Sequence, residues 1–375
     1  MSNAEPIASP GILVDAGRGS RSRQAREAIV ALVASLQLDD VVRIVAADDG
    51  AVALSVEPAF FARHLAGHDT TRLSSMLGLD PARIEDLRRE ALIAMACCPQ
   101  PFVYPDADEL ASAIRARAEI ADCGRRTSLA FDTEEAERPA DYWTYDEARG
   151  FTLLPGAPLI EAIELATQPE KSGRLYSFSC SRATEHVVLL GIARELRHGN
   201  PALLAQLQRQ WETRAIRGYE FSEVMLREHG SPESPLPIPY FVPGDRVWFR
   251  NTDPPSSDIA GYEGSWVVYT GSGEFSNFWK PNQPYTLQSK CVEIYHWRHA
   301  TWRDSTGQWR LDESVVDERV ERTLAQPDEV ARILPLMLRT YEAPDVHAPG
   351  GCIDPTLEHP QLLRAGTSTI RLPDV

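Results

Sequence analysis

The spacing of apolar residues over the first 60 positions predicts a small α/β unit. Apolar runs at residues 11–15, 41–45 and 51–56 have the length and composition of strands. Between the first two runs, apolar side chains recur at helical spacing over residues 20–38. We therefore expect the chain to begin with strands that alternate with a helix.

Helical patterns dominate the following segment, and strand patterns come later. Helical spacing is found in six further segments, at residues 57–66, 70–77, 81–97, 106–122, 201–228 and 327–341. Aromatic and β-branched runs that favour strands occupy residues 247–249, 266–270 and 291–297. The end of the chain is rich in proline, which predicts an irregular tail.

These patterns divide the chain into three parts. An N-terminal α/β extension is predicted at residues 1–95 and a core at residues 96–312. A C-terminal helix with an irregular tail is predicted at residues 313–375.

Charge and composition restrict the classes of function. The formal net charge of −16 argues against a nucleic-acid partner, because binding phosphates requires a basic surface. The sequence has no run of 18 apolar residues and no signal-peptide pattern, so we expect no membrane span and a cytoplasmic protein. Its six cysteines are irregularly spaced and form no CxxC pair, which argues against a disulfide scaffold and a structural zinc site. No cofactor or metal is expected.

Cys180 is the candidate nucleophile. A segment with apolar and aromatic residues, 175–179, precedes it, and the apolar residues Ala183 and Val187 follow at helical spacing. A thiol at a helix N-terminus is expected to ionise more readily, because the helix dipole stabilises negative charge there. The free amides of Cys180 and Ser181 are then available to a developing oxyanion. The alternative is a buried cysteine that happens to start a helix.

Five short motifs occur in a fixed order around this cysteine. Tyr-Trp at 142–143 precedes Gly-Phe-Thr-Leu at 150–153, and Tyr-Ser-Phe-Ser-Cys-Ser-Arg-Ala follows at 176–183. Gly-Asp-Arg-Val-Trp-Phe-Arg-Asn at 244–251 and Tyr-Glu-Gly-Ser-Trp-Val-Val-Tyr-Thr-Gly at 262–271 complete the set. In order and spacing these motifs resemble those of the bacterial spore-type protein-glutamine gamma-glutamyltransferases, or transglutaminases.

The resemblance covers about half of the chain and implies a fold and a reaction. The implied fold is α+β with a papain-like core, in which a nucleophile helix packs on an antiparallel sheet. The implied reaction is ping-pong acyl transfer on a protein substrate that supplies a glutamine. Cys180 would attack the glutamine side-chain amide, ammonia would leave, and the thioester would pass to a lysine amine or to water.

This chain departs from the family pattern at three positions. Ser179 stands where the family places a glutamate, and Ser265 aligns with a second catalytic glutamate. Glu263 lies two positions before Ser265 and would share its face on a strand, so it is the first candidate partner. The family histidine near residues 275–279 is absent. His296, on the strand predicted at 291–297, is the second candidate, because papain-like enzymes offer a strand histidine to the cysteine. Glu293 and His299 are weaker candidates.

Two other functions remain open at this point. The departures favour a protein-binding module that keeps the fold without catalysis. A cysteine amidase or peptidase would use the same nucleophile with water as acceptor. If no carboxylate or imidazole lies within hydrogen-bond reach of the Cys180 sulfur, the enzymatic interpretation loses most of its support.

Overall fold

The computed structural model describes residues 11–374 except 16, 18, 19, 48, 49, 132–135 and 342–350. The helices are α1 (Ser20–Ser35), α2 (Pro58–His64), α3 (Leu73–Leu77), α4 (Ile84–Ala96), α5 (Ala107–Arg126), α6 (Leu159–Thr167), α7 (Pro169–Ser172), α8 (Cys180–Gly199), α9 (Pro201–Thr213), α10 (Tyr219–Met225), α11 (Pro254–Ser257), α12 (Leu287–Trp297), α13 (Glu313–Leu324) and α14 (Pro327–Met337). The strands are β1 (Ile12–Val14), β2 (Val42–Ala46), β3 (Val52–Val56), β4 (Phe102–Tyr104), β5 (Ala130–Phe131), β6 (Trp143–Asp146), β7 (Gly150–Leu153), β8 (Ser177–Phe178), β9 (Leu226–His229), β10 (Arg246–Arg250), β11 (Gly264–Gly271), β12 (Glu274–Phe275), β13 (Tyr285–Thr286), β14 (Thr301–Arg303), β15 (Trp309–Leu311) and β16 (Leu357–Pro360).

The N-terminal strands form a four-stranded sheet in the order β2-β3-β1-β4. This confirms the three strands and the helix predicted over the first 60 positions. Strand β4 pairs in parallel with β1, with Ile12 opposite Phe102, so the sheet continues past residue 95. The division of the chain at residues 95 and 312 remains a prediction about folding units.

The candidate site lies beside a second sheet of six antiparallel strands, in the order β13-β12-β11-β10-β16-β9. Helix α8 packs against α5 and against β11, the long central strand. Gly191 allows the close approach of the two helices, because a Cβ at this position would lie 2.4 Å from Cγ1 of Ile120 and 2.8 Å from its backbone nitrogen. Helices and sheets are thus mixed in one chain, which is the α+β class.

Gly191→Ala is expected to destabilise the protein by about 1–3 kcal/mol, because the new methyl group would force α8 away from α5. Chemical denaturation measures the change in the free energy of unfolding. Gly199→Ala on the same helix is the matched control, since its Cβ would come no closer than 3.4 Å to a side-chain oxygen of Glu195. That control should be neutral or slightly stabilising. Equal effects of the two substitutions would contradict the proposed contact.

Residues 291–297 are helical, so the strand predicted there is wrong. Helix α12 begins after Thr286, whose side chain accepts from the Ser289 amide while the Ser289 hydroxyl accepts from the Thr286 amide. This capping box fixes a helix start five residues before the aromatic run. The aromatic and β-branched content that indicated a strand reflects burial of the helix against its neighbours instead.

The single helix predicted at residues 201–228 is also wrong. The structure has α9, then α10, and then strand β9. Gly218 divides the segment with a positive φ of 64°, a conformation that glycine adopts easily and that does not continue a helix.

The C-terminal segment is not only an irregular tail. Strand β16 lies inside the main sheet, between β10 and β9, with Glu358 opposite Arg246 on β10. Glu358 and His359 are buried there. Pro355 before this short strand and Pro360 at its end made the segment resemble a loop in the sequence. The strand supports the candidate site described below.

Candidate active site

Cys180 is the first residue of helix α8, and Ser179 is its N-cap. The Ser179 side chain accepts from the Arg182 amide at 3.4 Å, which satisfies one of the free amides of the first turn. The predicted helix start at the cysteine is therefore confirmed. Cys180 is half-buried, whereas Cys97, Cys98 and the other cysteines are fully buried.

Burial raises the pKa of the Cys180 thiol above its ordinary value. Hydrogen bonds from the backbone amides of Trp266 and Ser181, together with the charges of Lys290 and Arg246, oppose that rise. The expected lowering of the pKa at this helix start is therefore wrong, because burial outweighs the helix terminus. The same donors would stabilise a thiolate once it forms.

Trp266, which donates its amide to the sulfur, is held by a buried arginine. The Arg246 guanidinium lies 3.7 Å from the centre of the Trp266 ring. Arg246 donates to Thr184 Oγ1 at 2.9 Å on α8 and to Glu358 Oε2 at 2.5 Å on β16. Arg246, on β10, therefore links the nucleophile helix α8 to strands β11 and β16.

A group of three polar side chains faces the same space as Cys180. Lys290 Nζ donates to Glu293 Oε2 at 2.6 Å, and the Tyr285 hydroxyl donates to Glu293 Oε1 at 3.0 Å. Lys290 Nζ also lies 3.9 Å from the centre of the Tyr285 ring. The side chain of Lys290 is 3% exposed and that of Glu293 is 18% exposed. These bonds hold the Glu293 carboxylate in one orientation.

The shared space is a cavity of about 60 Å³. Its polar wall comprises Cys180, Ser265, Lys280, Lys290, Glu293, Glu313 and Asp317, and aromatic side chains contribute much of the rest, namely Phe131, Tyr262, Trp279, Tyr285 and Trp297. The backbone amides of Trp266 and Ser181 favour the thiolate form of Cys180. No carboxylate or imidazole of the described residues hydrogen bonds to its sulfur, which is the outcome that the sequence analysis counts against catalysis. Of the three carboxylates in the wall, Glu293 is the one held by both Lys290 and Tyr285, whereas Glu313 accepts from Tyr262 and Asp317 pairs with Lys280.

The two partners predicted from the sequence lie elsewhere. Glu263 is exposed, in the bend before β11, and accepts from the Gly261 amide at 3.1 Å. His296 lies on α12, with Nε2 2.8 Å from Thr323 Oγ1, and burial lowers its pKa to about 4. The structure describes both side chains, and neither is among the residues that line the Cys180 cavity.

Lys290 was missed, and Glu293 was only a weaker candidate, because their segment was predicted to be a strand. Three residues apart, two side chains point to opposite faces of a strand but to the same face of a helix. The capping signal at Thr286 and Ser289 was the available indication of a helix. Composition could have drawn attention to Lys290 itself, since it is one of only three lysines in the chain.

A thiol–imidazole pair lies away from the Cys180 cavity, at Cys98 and His229, and is poorly suited to catalysis. Cys98 Sγ lies 3.2 Å from His229 Nε2. Burial raises the pKa of Cys98 to about 11 and lowers that of His229 to about 4, so both groups are neutral at pH 7. Cys98 is fully buried as well, and this pair is assigned to packing.

The described residues offer neither a metal-binding cluster nor a membrane-spanning helix. Over the described ranges, no three His, Cys, Asp or Glu side chains are grouped so that they could hold a metal ion. In the same part of the chain, no helix combines the length and the apolar character needed to cross a bilayer.

Comparison with known proteins identifies the family. The family model for protein-glutamine gamma-glutamyltransferase matches residues 68–286. The chain belongs to this transglutaminase family. The match ends before Lys290, so the polar group at the cavity lies outside the part of the chain that the family model covers.

Among solved structures, the chain is similar to a transglutaminase from Geobacillus stearothermophilus without its C-terminal extension. The identity is 17% and the TM-score 0.39, over 57% of this chain and 98% of the other. The curated proteins contain no match to this chain.

Cys180 is expected to be the first of the six cysteines to react with iodoacetamide, because the other five are buried. Since burial raises its pKa, the rate should climb about tenfold per pH unit between pH 7 and 8.5. Mass spectrometry of tryptic peptides over time measures each site. A rate that levels off below pH 7 would contradict the raised pKa.

Proposed function

We propose that this transglutaminase-family chain is a cysteine-dependent acyltransferase that acts on glutamine side chains of proteins. The observation that carries the proposal is the position of Cys180, at the first turn of α8, in a cavity shared with a lysine and a carboxylate. The packing of α8 on β11 of an antiparallel sheet supports a papain-like core.

In the first step, Cys180 Sγ attacks the carboxamide carbon of a glutamine side chain. The carbon–nitrogen bond breaks, the thiol proton ends on the leaving nitrogen, and ammonia departs. The Trp266 amide already donates to the sulfur, so it is placed to stabilise charge at the reacting centre. The product is a thioester between Cys180 and the glutamyl group.

In the second step, an amine nitrogen attacks the thioester carbon and the carbon–sulfur bond breaks. One proton of the amine returns to the sulfur, which restores the thiol and leaves a new amide bond. Water in place of the amine would give glutamate. The aromatic wall of the cavity supports transfer to an amine, because it limits the access of water to the thioester.

Glu293 is proposed to carry the proton between sulfur and nitrogen, in the role for which Glu263 and His296 were the sequence candidates. Its carboxylate lines the cavity and is oriented by Lys290 and Tyr285. Lys290 is proposed to stabilise the thiolate, since its charge already opposes the rise in the Cys180 pKa.

The purified protein tests this function directly. With a glutamine-bearing protein such as casein and a labelled primary amine, we expect ammonia release and covalent incorporation of the label. Ammonia release without incorporation, at saturating amine, would favour the amidase alternative. Absence of both products over a panel of substrate proteins would favour a binding module that retains the family fold.

A further inference from the structure

Helix α13 forms one wall of the Cys180 cavity. Glu313, Val316 and Asp317 line this cavity, and all three belong to α13. Their spacing of three and four positions places them on one face of the helix. The family model ends at residue 286, so Cys180 lies in the part of the chain that it matches and α13 lies in the segment that follows. Helix α13 is therefore an addition to the family part, and it covers the nucleophile.

The cavity is small for the reaction proposed above. Its volume of about 60 Å³ lies far below the roughly 300–1,000 Å³ that is usual for small-molecule sites. In the two proposed steps, a glutamine side chain and then an amine must both reach the Cys180 sulfur. A protein substrate also brings the chain segment that carries its glutamine. The wall of the cavity must therefore move before a protein substrate reaches the sulfur.

Two polar contacts, the latch contacts, join α13 to the family part of the chain at this cavity. The Tyr262 hydroxyl donates to Glu313 Oε1 at 2.7 Å, and Lys280 forms an ion pair with Asp317. The Lys280 side chain is 41% exposed and that of Asp317 is 50% exposed. An ion pair so exposed contributes little to stability, because water replaces the contact when it breaks. The latch contacts hold α13 over the cavity but are easily broken.

Little apolar surface fixes α13 in place. Val316 and Thr323 are its buried residues, and Val316 is the one of these two that lines the cavity. The neighbours of α13 are chiefly the helices α12 and α14. A segment with few buried apolar side chains opens at a lower free-energy cost than the core does. Helix α13 is therefore the part of the cavity wall best suited to move.

We propose that α13 is a lid, which closes the Cys180 cavity in the resting protein and moves aside when a protein substrate binds. Helix α12 stays in place and keeps Lys290 and Glu293 at the cavity. Control of access to Cys180 by α13 does not depend on the reaction that the protein catalyses. Admission of a protein substrate by the lid rests on the function proposed above.

Alkylation with two maleimides of different size tests the lid without a catalytic assay. N-methylmaleimide and N-(1-pyrenyl)maleimide react with thiols by the same chemistry, and each rate at Cys180 is divided by the rate with N-acetylcysteine. Mass spectrometry of tryptic peptides measures the rate at Cys180. In the folded protein, we expect the ratio of the pyrenyl rate to the methyl rate to be at least about tenfold lower than in protein unfolded by guanidinium chloride, because the closed lid excludes the larger reagent.

Tyr262→Phe combined with Asp317→Asn weakens both latch contacts. Phenylalanine keeps the ring that lines the cavity, and asparagine keeps the size of the aspartate side chain. The pyrenyl reagent should then label Cys180 at least about threefold faster, because labelling through an opening follows the population of the open form. The methyl reagent should gain less.

Tyr142→Phe combined with Glu318→Gln is the matched control. The Tyr142 hydroxyl also donates to a glutamate at 2.7 Å, and Glu318 forms an ion pair with Arg322 within α13. Neither Tyr142 nor Glu318 lines the Cys180 cavity. Both labelling rates should stay within about twofold of the unmodified protein, because these two contacts do not hold the lid.

Three labelling results would overturn the lid. The first is a ratio of the two rates that is the same in the folded and the unfolded protein, which needs no variant. The second is a latch variant that reacts no faster than the unmodified protein, and the third is equal acceleration in the latch and control variants.

Turnover separates the lid from the proposed function. The latch variant should raise kcat/KM for casein at least about threefold, because the apparent affinity for a substrate rises with the fraction of protein in the open form. A blocked dipeptide, benzyloxycarbonyl-Gln-Gly, should gain less, since it needs a smaller opening. Equal gains for casein and the dipeptide would overturn the role of α13 in admitting protein substrates. Absence of turnover in every form, with the labelling results as expected, would refute the proposed function and leave the lid over Cys180 standing.

Discussion

Replacing Cys180 with alanine is expected to lower amine incorporation at least about 10³-fold, to the uncatalysed background. The reason is that the proposed thioester cannot form without the sulfur. The residue is half-buried at the start of α8, so loss of one sulfur atom should leave the fold intact. Labelled-amine incorporation and ammonia release are measured, with circular dichroism as the check on folding.

Cys98→Ala is the matched control, because Cys98 also lies beside a polar side chain, 3.2 Å from His229 Nε2. This variant should keep full turnover per folded molecule, although it is expected to be less stable because Cys98 is buried. Loss of turnover in Cys98→Ala, together with retention of turnover in Cys180→Ala, would indicate that Cys98 is the nucleophile.

The sequence predicted the nucleophile helix because its signals are local. Ser179 is a good N-cap residue, and the apolar positions after Cys180 repeat at helical spacing, so the start of α8 followed from a few neighbouring residues. The family could be predicted for a similar reason, since its motifs are short segments in a fixed order, and the family model confirms it.

The partners of Cys180 could not be predicted in the same way, because they depend on contacts between distant segments. Lys290 and Glu293 lie about 110 positions after the nucleophile, and only the tertiary placement of α12, which packs on α13, α14 and β13, brings them to the same cavity. Glu263 was chosen on the assumption of a continuous strand. The structure starts β11 at Gly264 and leaves Glu263 in the preceding bend.

The contact between Arg246 and Glu358, which supports the site, could not be predicted for another reason. Arg246 is held by Glu358, more than 100 positions later in sequence, through a strand of four residues that ends at Pro360. So short a strand carries no alternating pattern that distinguishes it from a loop. Its place between β10 and β9 is fixed by tertiary pairing rather than by local preference.

Glu293→Gln is expected to lower the rate about 10²–10⁴-fold, the usual contribution of a group that transfers a proton. The amide keeps the size of the side chain and can still accept from Tyr285, but it cannot take up the proton of the thiol. The loss should fall on kcat, with little change in KM, if Glu293 acts on the reacting atoms rather than on substrate binding. Steady-state ammonia release gives both constants.

Glu263→Gln is the matched control for this substitution, since it makes the same chemical change at the exposed candidate that the sequence favoured. It should stay within about threefold of the unmodified rate, as expected of a surface carboxylate outside the cavity. His296→Ala should likewise retain most of its turnover, because that imidazole bonds to Thr323 and burial lowers its pKa to about 4. A large loss of turnover in Glu263→Gln, with near-normal turnover in Glu293→Gln, would contradict the role proposed for Glu293. The catalytic carboxylate would then be Glu263, as the family alignment suggests. The bend before β11 would have to rearrange when substrate binds.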